Sequence, residues 1–175
     1  MKSSFKLKPL LLLVIVCLIS SVAWGQMEAP KKKLASPRDS VSGTVNGADI
    51  SINYGSPSVK KRKIWGGLVP YGQVWRTGAN EATRFTTSKD IMVEGKALPA
   101  GTYGFFAIPS ETQWTIIFNS IPNQWGAFKY DSTKDVLRVM VMPKKAGKNE
   151  HLHYKINSKG FTLVWAKLAV PVKVN

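Results

Sequence analysis

From residue 41 onward the chain is written as short β-type runs, each closed by turn residues, and almost nowhere does it keep a helical period. Residues 41–46 lead through an Asn46-Gly47 turn into DISINY, where Ile50, Ile52 and Tyr54 alternate, so this part reads as a hairpin. ATRFTT, the turn SKD, IMV, the turn Glu94-Gly95-Lys96, TYGFFAI, the turn PSETQ and WTIIFN then read as a meander. DVLRVMVM, a loop PKKAGKNE, HLHYKIN, the turn SKG, FTLVWAKL and a closing VPVKV complete about ten short strands. A single helical turn over residues 63–68 is the one exception. Strands this closely spaced, without βα alternation, predict a single all-β domain, an antiparallel sandwich or jelly-roll-like fold, and exclude a parallel α/β fold. Alternation also assigns the core: Trp114, Ile116 and Phe118 share one face, as do Leu152, Tyr154 and Ile156.

Ahead of these strands lies an export signal. MKSSFKLKP carries three lysines and no acid, an apolar run follows over residues 10–19, and Ala23 and Gly25 put small side chains where a signal peptidase requires them. Residues 1–25 therefore read as a signal peptide cleaved before Gln26, and the apolar run is too short to span a bilayer comfortably. Val16 is too bulky to precede a lipid-modified cysteine, which excludes Cys17 as a lipidation site. Residues 26–37, with Pro and three consecutive Lys, read as a flexible basic tether, and residues 38–175 as the folded domain. An exported protein in the periplasm or outside the cell is expected, with no transmembrane segment once the leader is gone.

The leader takes with it the chain's single cysteine, so neither a disulfide nor a cysteine nucleophile nor a thiolate metal site can form afterwards. It also takes three positive charges, which lowers the formal net charge from +15 to +12. A field of that sign favours anionic partners such as acidic glycans or another envelope component, and export argues against nucleic acid.

Residues 62–83, RKIWGGLVPYGQVWRTGANEAT, concentrate turn residues, aromatics and hydrogen-bonding side chains as no other stretch does. Tyr71 and Trp75 have flat apolar faces with a polar tip, suited to a sugar ring or to anchoring a loop on a core. Arg76 is a rigid fork of donors and Glu81 the motif's one acid, so an Arg76–Glu81 ion pair closing the loop is the economical expectation. Thr77, Gly78 and Asn80 read as turn chemistry. The loop is then either a buried corner whose polar groups satisfy one another or a ligand site, with catalysis a third reading. Trp125 and Tyr130, in QWGAFKYD, form a second aromatic cluster able to line the same concavity, or else fold over the sandwich edge. Arg62 belongs to a run of four basic residues, 60–63, which would attract anions or simply be solvated. The candidate ligand-binding set is thus Arg62, Tyr71, Trp75, Arg76, Thr77, Asn80, Glu81, Trp125 and Tyr130.

No catalytic set is assigned. The chain has no nucleophile elbow, P-loop, dinucleotide fingerprint or HExxH motif. His151 and His153 share one strand face, as a metal pair would, but Lys155 stands beside them and no third ligand is evident, so surface histidines are expected and neither metal nor cofactor. Asp90, Glu94, Glu111, Asp131, Asp135 and Glu150 sit beside predicted turns, whereas a glycosidase gathers its acids in an aromatic cleft. Only Glu81 has such company.

GGLVPYGQVWRTGANEATRFT, with LPAGTYGFFAIP, WTIIFN, QWGAFKYDSTKDVLRV and Trp165, resembles domain-of-unknown-function family 2911, exported proteins mostly of Bacteroidota. The resemblance runs from Ser36 to the C-terminus and implies export and a β-rich fold without supplying a reaction. Two positions depart from its pattern: Ser56 stands where an Arg is usual, and Lys61 where a Gly is usual. Together these readings predict an envelope-associated β-sandwich that binds a polar or anionic ligand such as a glycan, with a glycan hydrolase using Glu81 as acid/base, or a purely structural domain, as the alternatives.

Overall fold

The computed structural model describes residues 35–175; the leader and all but the last three residues of the tether lie outside the described residues. Ten strands form, most of them in the places the alternation marks; residues 96–98, where the pattern marks a turn and no strand, make a further short strand paired with residues 91–93. They are β1 (Arg38–Val45), β2 (Ala48–Gly55), β3 (Thr83–Thr87), β4 (Ile91–Val93), β5 (Lys96–Leu98), β6 (Gly101–Ile108), β7 (Trp114–Asn119), β8 (Asp135–Val141), β9 (Lys144–Asn157) and β10 (Gly160–Lys173). Six of them build one antiparallel sheet in the order β1-β2-β3-β6-β7-β8, while β9-β10 and β4-β5 are separate hairpins. The architecture is an all-β antiparallel sandwich, as the pattern requires.

Inward residues of the large sheet (Ile50, Ile52, Tyr54, Phe85, Phe105, Trp114, Ile116, Phe118) meet Leu152, Tyr154, Phe161, Leu163 and Trp165 from the β9-β10 hairpin in one buried core. Ring contacts knit the two layers, with Phe85 and Phe105 at 5.2 and 5.5 Å from Phe161. A second, smaller core lies on the outer face of the same sheet, where Ala82, Phe106 and Ile117 are covered by Val74, Ile108, Ala127 and Tyr130. Here the unbroken apolar runs GFFAI and TIIF have their explanation: the central strands β6 and β7 are buried on both faces, so alternation gives way to continuity.

Three local expectations are corrected. PKKAGKNE is the first half of β9 rather than a loop; most of its side chains are exposed, so no buried face exists for an apolar pattern to record, and the backbone pairing with β10 makes the strand. VPVKV continues β10, with Pro171 lying past Ala169, the last residue paired with β9, so its missing N–H breaks no bond of that ladder. Residues 63–68 form no helix. Leu68 and Val69 donate back to the carbonyls of Lys63 and Ile64 (3.0 and 2.9 Å) around Gly66 at φ 68°, and the described residues hold only a 3-10 turn, Ser132–Lys134, by way of helix. Lys61 has φ 57°, a left-handed backbone that a glycine would hold with less strain.

Candidate functional site

The motif loop pairs with the end of β6, beyond Phe105, where its partner β3 stops. Trp75 and Ala107 exchange both backbone hydrogen bonds (2.8 and 2.9 Å), and Gly72 N–H donates to the carbonyl of Pro109. This docking turns the Trp75 ring inward to 8 % exposure, where it joins Trp65, Trp114 and Trp165 in a nucleus with centroid separations of 4.8 to 6.2 Å. The Trp75 face is therefore spent on the core. Tyr71 lies over Gly66, whose absent Cβ would stand 2.9 Å from its ring.

Beyond Trp75 the chain makes a backbone-lined corner. Thr77 is fully buried at φ 51°; its hydroxyl donates to the Phe105 carbonyl (2.9 Å), and its own carbonyl receives the Tyr154 hydroxyl (2.8 Å) and the Thr83 hydroxyl (3.2 Å). Burial pushes the Tyr154 phenol far above its ordinary range. Gly55 passes so close that a Cβ there would lie 2.1 Å from the Ala79 carbonyl oxygen. From Thr77 to Ala79 the loop is a buried corner.

At Asn80 the loop returns to the surface. Asn80 takes the left-handed conformation (φ 63°), its side-chain amide donates to the Ser36 carbonyl (2.9 Å) and its carbonyl accepts from Gly126 N–H (3.0 Å), so it fastens both the start of the domain and residues 120–130. Ala82 N–H to the Gln124 carbonyl (2.9 Å) adds a second clasp. An open cleft of about 490 Å³ results, walled by Glu81, Ala82 and Arg84 on one side and by Pro122, Asn123, Gln124 and Trp125 on the other.

The expected Arg76–Glu81 pair does not form. Glu81 instead meets Arg38, with Nη1 3.2 Å from Oε2, a distance of an ion pair without the alignment of a hydrogen bond. Arg38 also donates to Asn53 Oδ1. Arg76 is half-buried with an Nε that has no partner, and burial lowers its pKa. Sequence proximity suggested the wrong arginine because β1, far away in the chain, delivers Arg38 to the same place.

Arg84, one residue past the β3 start, was not in the predicted set. It faces outward opposite Phe85, sits across from Asn53 in the register, and makes one long side-chain hydrogen bond among the described residues, Nη1 to Asn123 Oδ1 at 3.4 Å. Burial lowers the Arg38 pKa most, Glu81 opposes that and Arg84 adds to it, so a second guanidinium stands near the Arg38–Glu81 pair without an ion pair of its own among the described residues. Across Arg84 the cleft opens onto a polar groove bearing Ser40, Ser42, Ser51, Asn53, Thr86 and Thr102, cross-strand neighbours on β1, β2, β3 and β6.

Of the predicted residues, Glu81 and Trp125 meet in the cleft, joined by a backbone bridge, and Trp125 is 61 % exposed. Asn80 holds the cleft's backbone. Tyr130 is elsewhere: its ring packs on Phe106 (5.2 Å) and its hydroxyl donates to Asp135 Oδ2 (2.5 Å) while accepting from Arg138 (2.7 Å). Burial, with the Asp135 hydrogen bond, pushes that phenol up to about 12. Arg62 lies exposed and donates to the carbonyls of Val59 and Ser58. Ser56 is buried, its hydroxyl on the Leu152 carbonyl (2.7 Å), and takes no part in the cleft.

Asp90, Glu94 and Asp131 sit at or beside turns or bends, as expected, and each accepts a backbone N–H. Glu150, expected beside a loop, lies within β9, where its carboxylate accepts the Lys60 N–H. His151 contacts the Ser58 hydroxyl (3.1 Å) and His153 the His151 carbonyl (3.2 Å), and no cluster of three metal-ligating side chains occurs among the described residues. Nor is any helix there long and apolar enough to cross a membrane.

No curated protein and no solved structure matches the chain significantly. One family model does, over residues 36–174, from the start of the domain that Asn80 fastens to the strand end that closes the core. The chain belongs to DUF2911, a family of proteins of unknown function.

Proposed function

We propose that this domain binds an acidic oligosaccharide across the outer face of β1-β2-β3-β6, with an acidic group on Arg84 and a sugar ring on Trp125. The observation that carries this reading is the uncompensated charge: Glu81 pairs with Arg38, while Arg84 makes no ion pair among the described residues, which leaves one positive charge in a cleft with an exposed indole. A guanidinium with one long hydrogen bond has donors to offer a carboxylate or sulfate, and an exposed Trp face fits the apolar face of a pyranose. The adjoining hydroxyl-bearing groove crosses four strands, a track of about 14 Å at ordinary strand spacing, which suits a chain of sugars better than a single small anion. Glu81 is the one carboxylate among the cleft's lining residues and is held by Arg38, whereas glycoside hydrolysis takes two, so binding is favoured over hydrolysis.

The test is calorimetric titration with tetragalacturonate and, as the neutral counterpart, maltotetraose. The acidic ligand binds more tightly, and its affinity falls with salt. Arg84→Gln abolishes the acidic preference, and Trp125→Ala removes a salt-insensitive part of about 1 kcal/mol. Equal binding of both ligands to wild type and to Arg84→Gln refutes the reading. Trp75 has no place in this test, because its ring belongs to the core.

A further inference from the structure

Residues 121–128 carry three of the large apolar side chains that the described domain leaves exposed: Ile121 at 43 %, Trp125 at 61 % and Phe128 at 86 %. Their placement is imposed by the fold. The segment is clamped to the outer face of the sheet by the Gln124 carbonyl on Ala82 N–H, by Gly126 N–H on Asn80 and by Ala127 and Tyr130 packed on the small outer core, and Trp125 and Phe128, which alternate with these anchors, are left exposed. Gly126 holds φ 67° and its missing Cβ leaves room for the Phe128 ring, 2.9 Å from where that atom would be. Nothing else in the described domain covers Phe128. A ring this exposed calls for an apolar partner.

We propose that Ile121, Trp125 and Phe128 are the tip by which this face seats on an anionic lipid bilayer. Two features select a bilayer over another protein. The three side chains together offer on the order of 400 Å², about half of the roughly 800 Å² per partner in a stable protein interface. Three apolar side chains do suit the boundary between headgroups and acyl chains, where Trp in particular partitions. The surrounding charge is also complementary to an anionic leaflet: Lys129 directly follows Phe128 and makes no ion pair among the described residues, and Arg84 supplies the cleft's surplus. Of the nearby acids, Glu81 pairs with Arg38 and Asp135 with Arg138, and the charge of Asp131 is opposed by that of Lys134. The inference does not depend on the sugar reading; on this arrangement Trp125 lies at headgroup level, where the cleft opens.

Co-sedimentation with phosphatidylcholine vesicles, with and without phosphatidylglycerol, provides the experiment. The protein pellets with the anionic vesicles, Phe128→Ser weakens binding about tenfold, and Lys129→Glu weakens it at least fivefold, less at high salt. Phe128 is so exposed that its replacement leaves the fold intact, which circular dichroism checks. Acyl chains brominated near the headgroup quench the fluorescence of Trp125, the one exposed tryptophan among those described, and Trp125→Phe removes the quenching. Equal pelleting of wild type and Phe128→Ser, equal binding to neutral vesicles, or absence of quenching overturns the proposal. So does a dimer in solution that Phe128→Ser dissolves, which would assign the tip to a second copy of the chain.

Discussion

Replacing Arg76 by Met separates the ion pair that sequence proximity suggests from the one the fold makes. In the structure the Arg76 Nε is buried without an acceptor, and its charge is held in a partly desolvated place with no carboxylate against it. Met keeps the apolar stem and removes both burdens. An unsatisfied buried donor costs about 1 to 3 kcal/mol, and some of that returns as lost solvation of the exposed end. Arg76→Met is therefore expected to be neutral or to stabilise by up to about 1 kcal/mol. Were Arg76 paired with Glu81, the same change would cost about 2 to 4 kcal/mol. The sign of the effect decides. Urea unfolding of wild type, Arg76→Met, Glu81→Gln and the double variant should give additive changes within about 0.5 kcal/mol. The parallel cycle on Arg38 and Glu81 should not. At 3.2 Å their Coulomb energy is about 1.3 kcal/mol in a water-like dielectric, and exposure of the carboxylate reduces the coupling to about 0.5 to 1 kcal/mol, falling as salt rises. Loss of more than about 2 kcal/mol in Arg76→Met, with coupling to Glu81→Gln, would refute the placement of Arg76.

Two further expectations rest on the corner and on the buried phenols. Gly55→Ala drives a Cβ to within 2.1 Å of the Ala79 carbonyl and should cost about 3 kcal/mol or more, whereas Gly147→Ala, with open space around it, should be neutral or slightly stabilising; thermal unfolding of the pair checks the docking of the loop on β2. Burial raises the Tyr54 and Tyr130 phenols from 10.0 to about 12, helped by hydrogen bonds to Asp39 and Asp135. A folded-state value above the unfolded one means stability that is complete below about pH 10 and is lost as pH rises through about 12, so urea midpoints should fall across that window, and less in Tyr54→Phe or Tyr130→Phe.

The strands were legible because their information is local. An alternating run such as DISINY states its own inner face, and Ile50, Ile52 and Tyr54 are buried as written. The first half of β9 was not legible, since a strand without a buried face leaves no periodic trace and takes its structure from a partner ladder. The motif loop was legible as a special place but not as to which of its rings faces water. Trp75 and Trp125 are chemically alike; one is drawn inward by pairing with Ala107 and the other held outward by the clasp on Asn80 and Ala82, and both pairings are long-range. Arg38 and Arg84 escaped notice for the same reason. Each is an ordinary outward residue in its own strand, and only the sheet register sets them around Asn53 and Glu81.

That division between local and long-range information also bears on what selects a ligand. The formal charge of +15 is spread over lysines and arginines throughout the chain and would draw many anions without distinguishing among them. Discrimination needs a fixed positive group beside a shaped surface, and the fold supplies one by rigid means. Arg84 rises from a central strand of the six-stranded sheet, and the Trp125 wall is pinned by backbone hydrogen bonds of 2.9 and 3.0 Å to Ala82 and Asn80. Because Thr77 and Gly55 anchor the other end of the same loop in the core, the cleft's geometry is tied to the stability of the whole sandwich. Weakening the corner should therefore loosen the cleft before the sheet itself melts, and a ligand that binds the cleft should protect the Ala82 and Gly126 amides from hydrogen exchange more than those of β6 or β7.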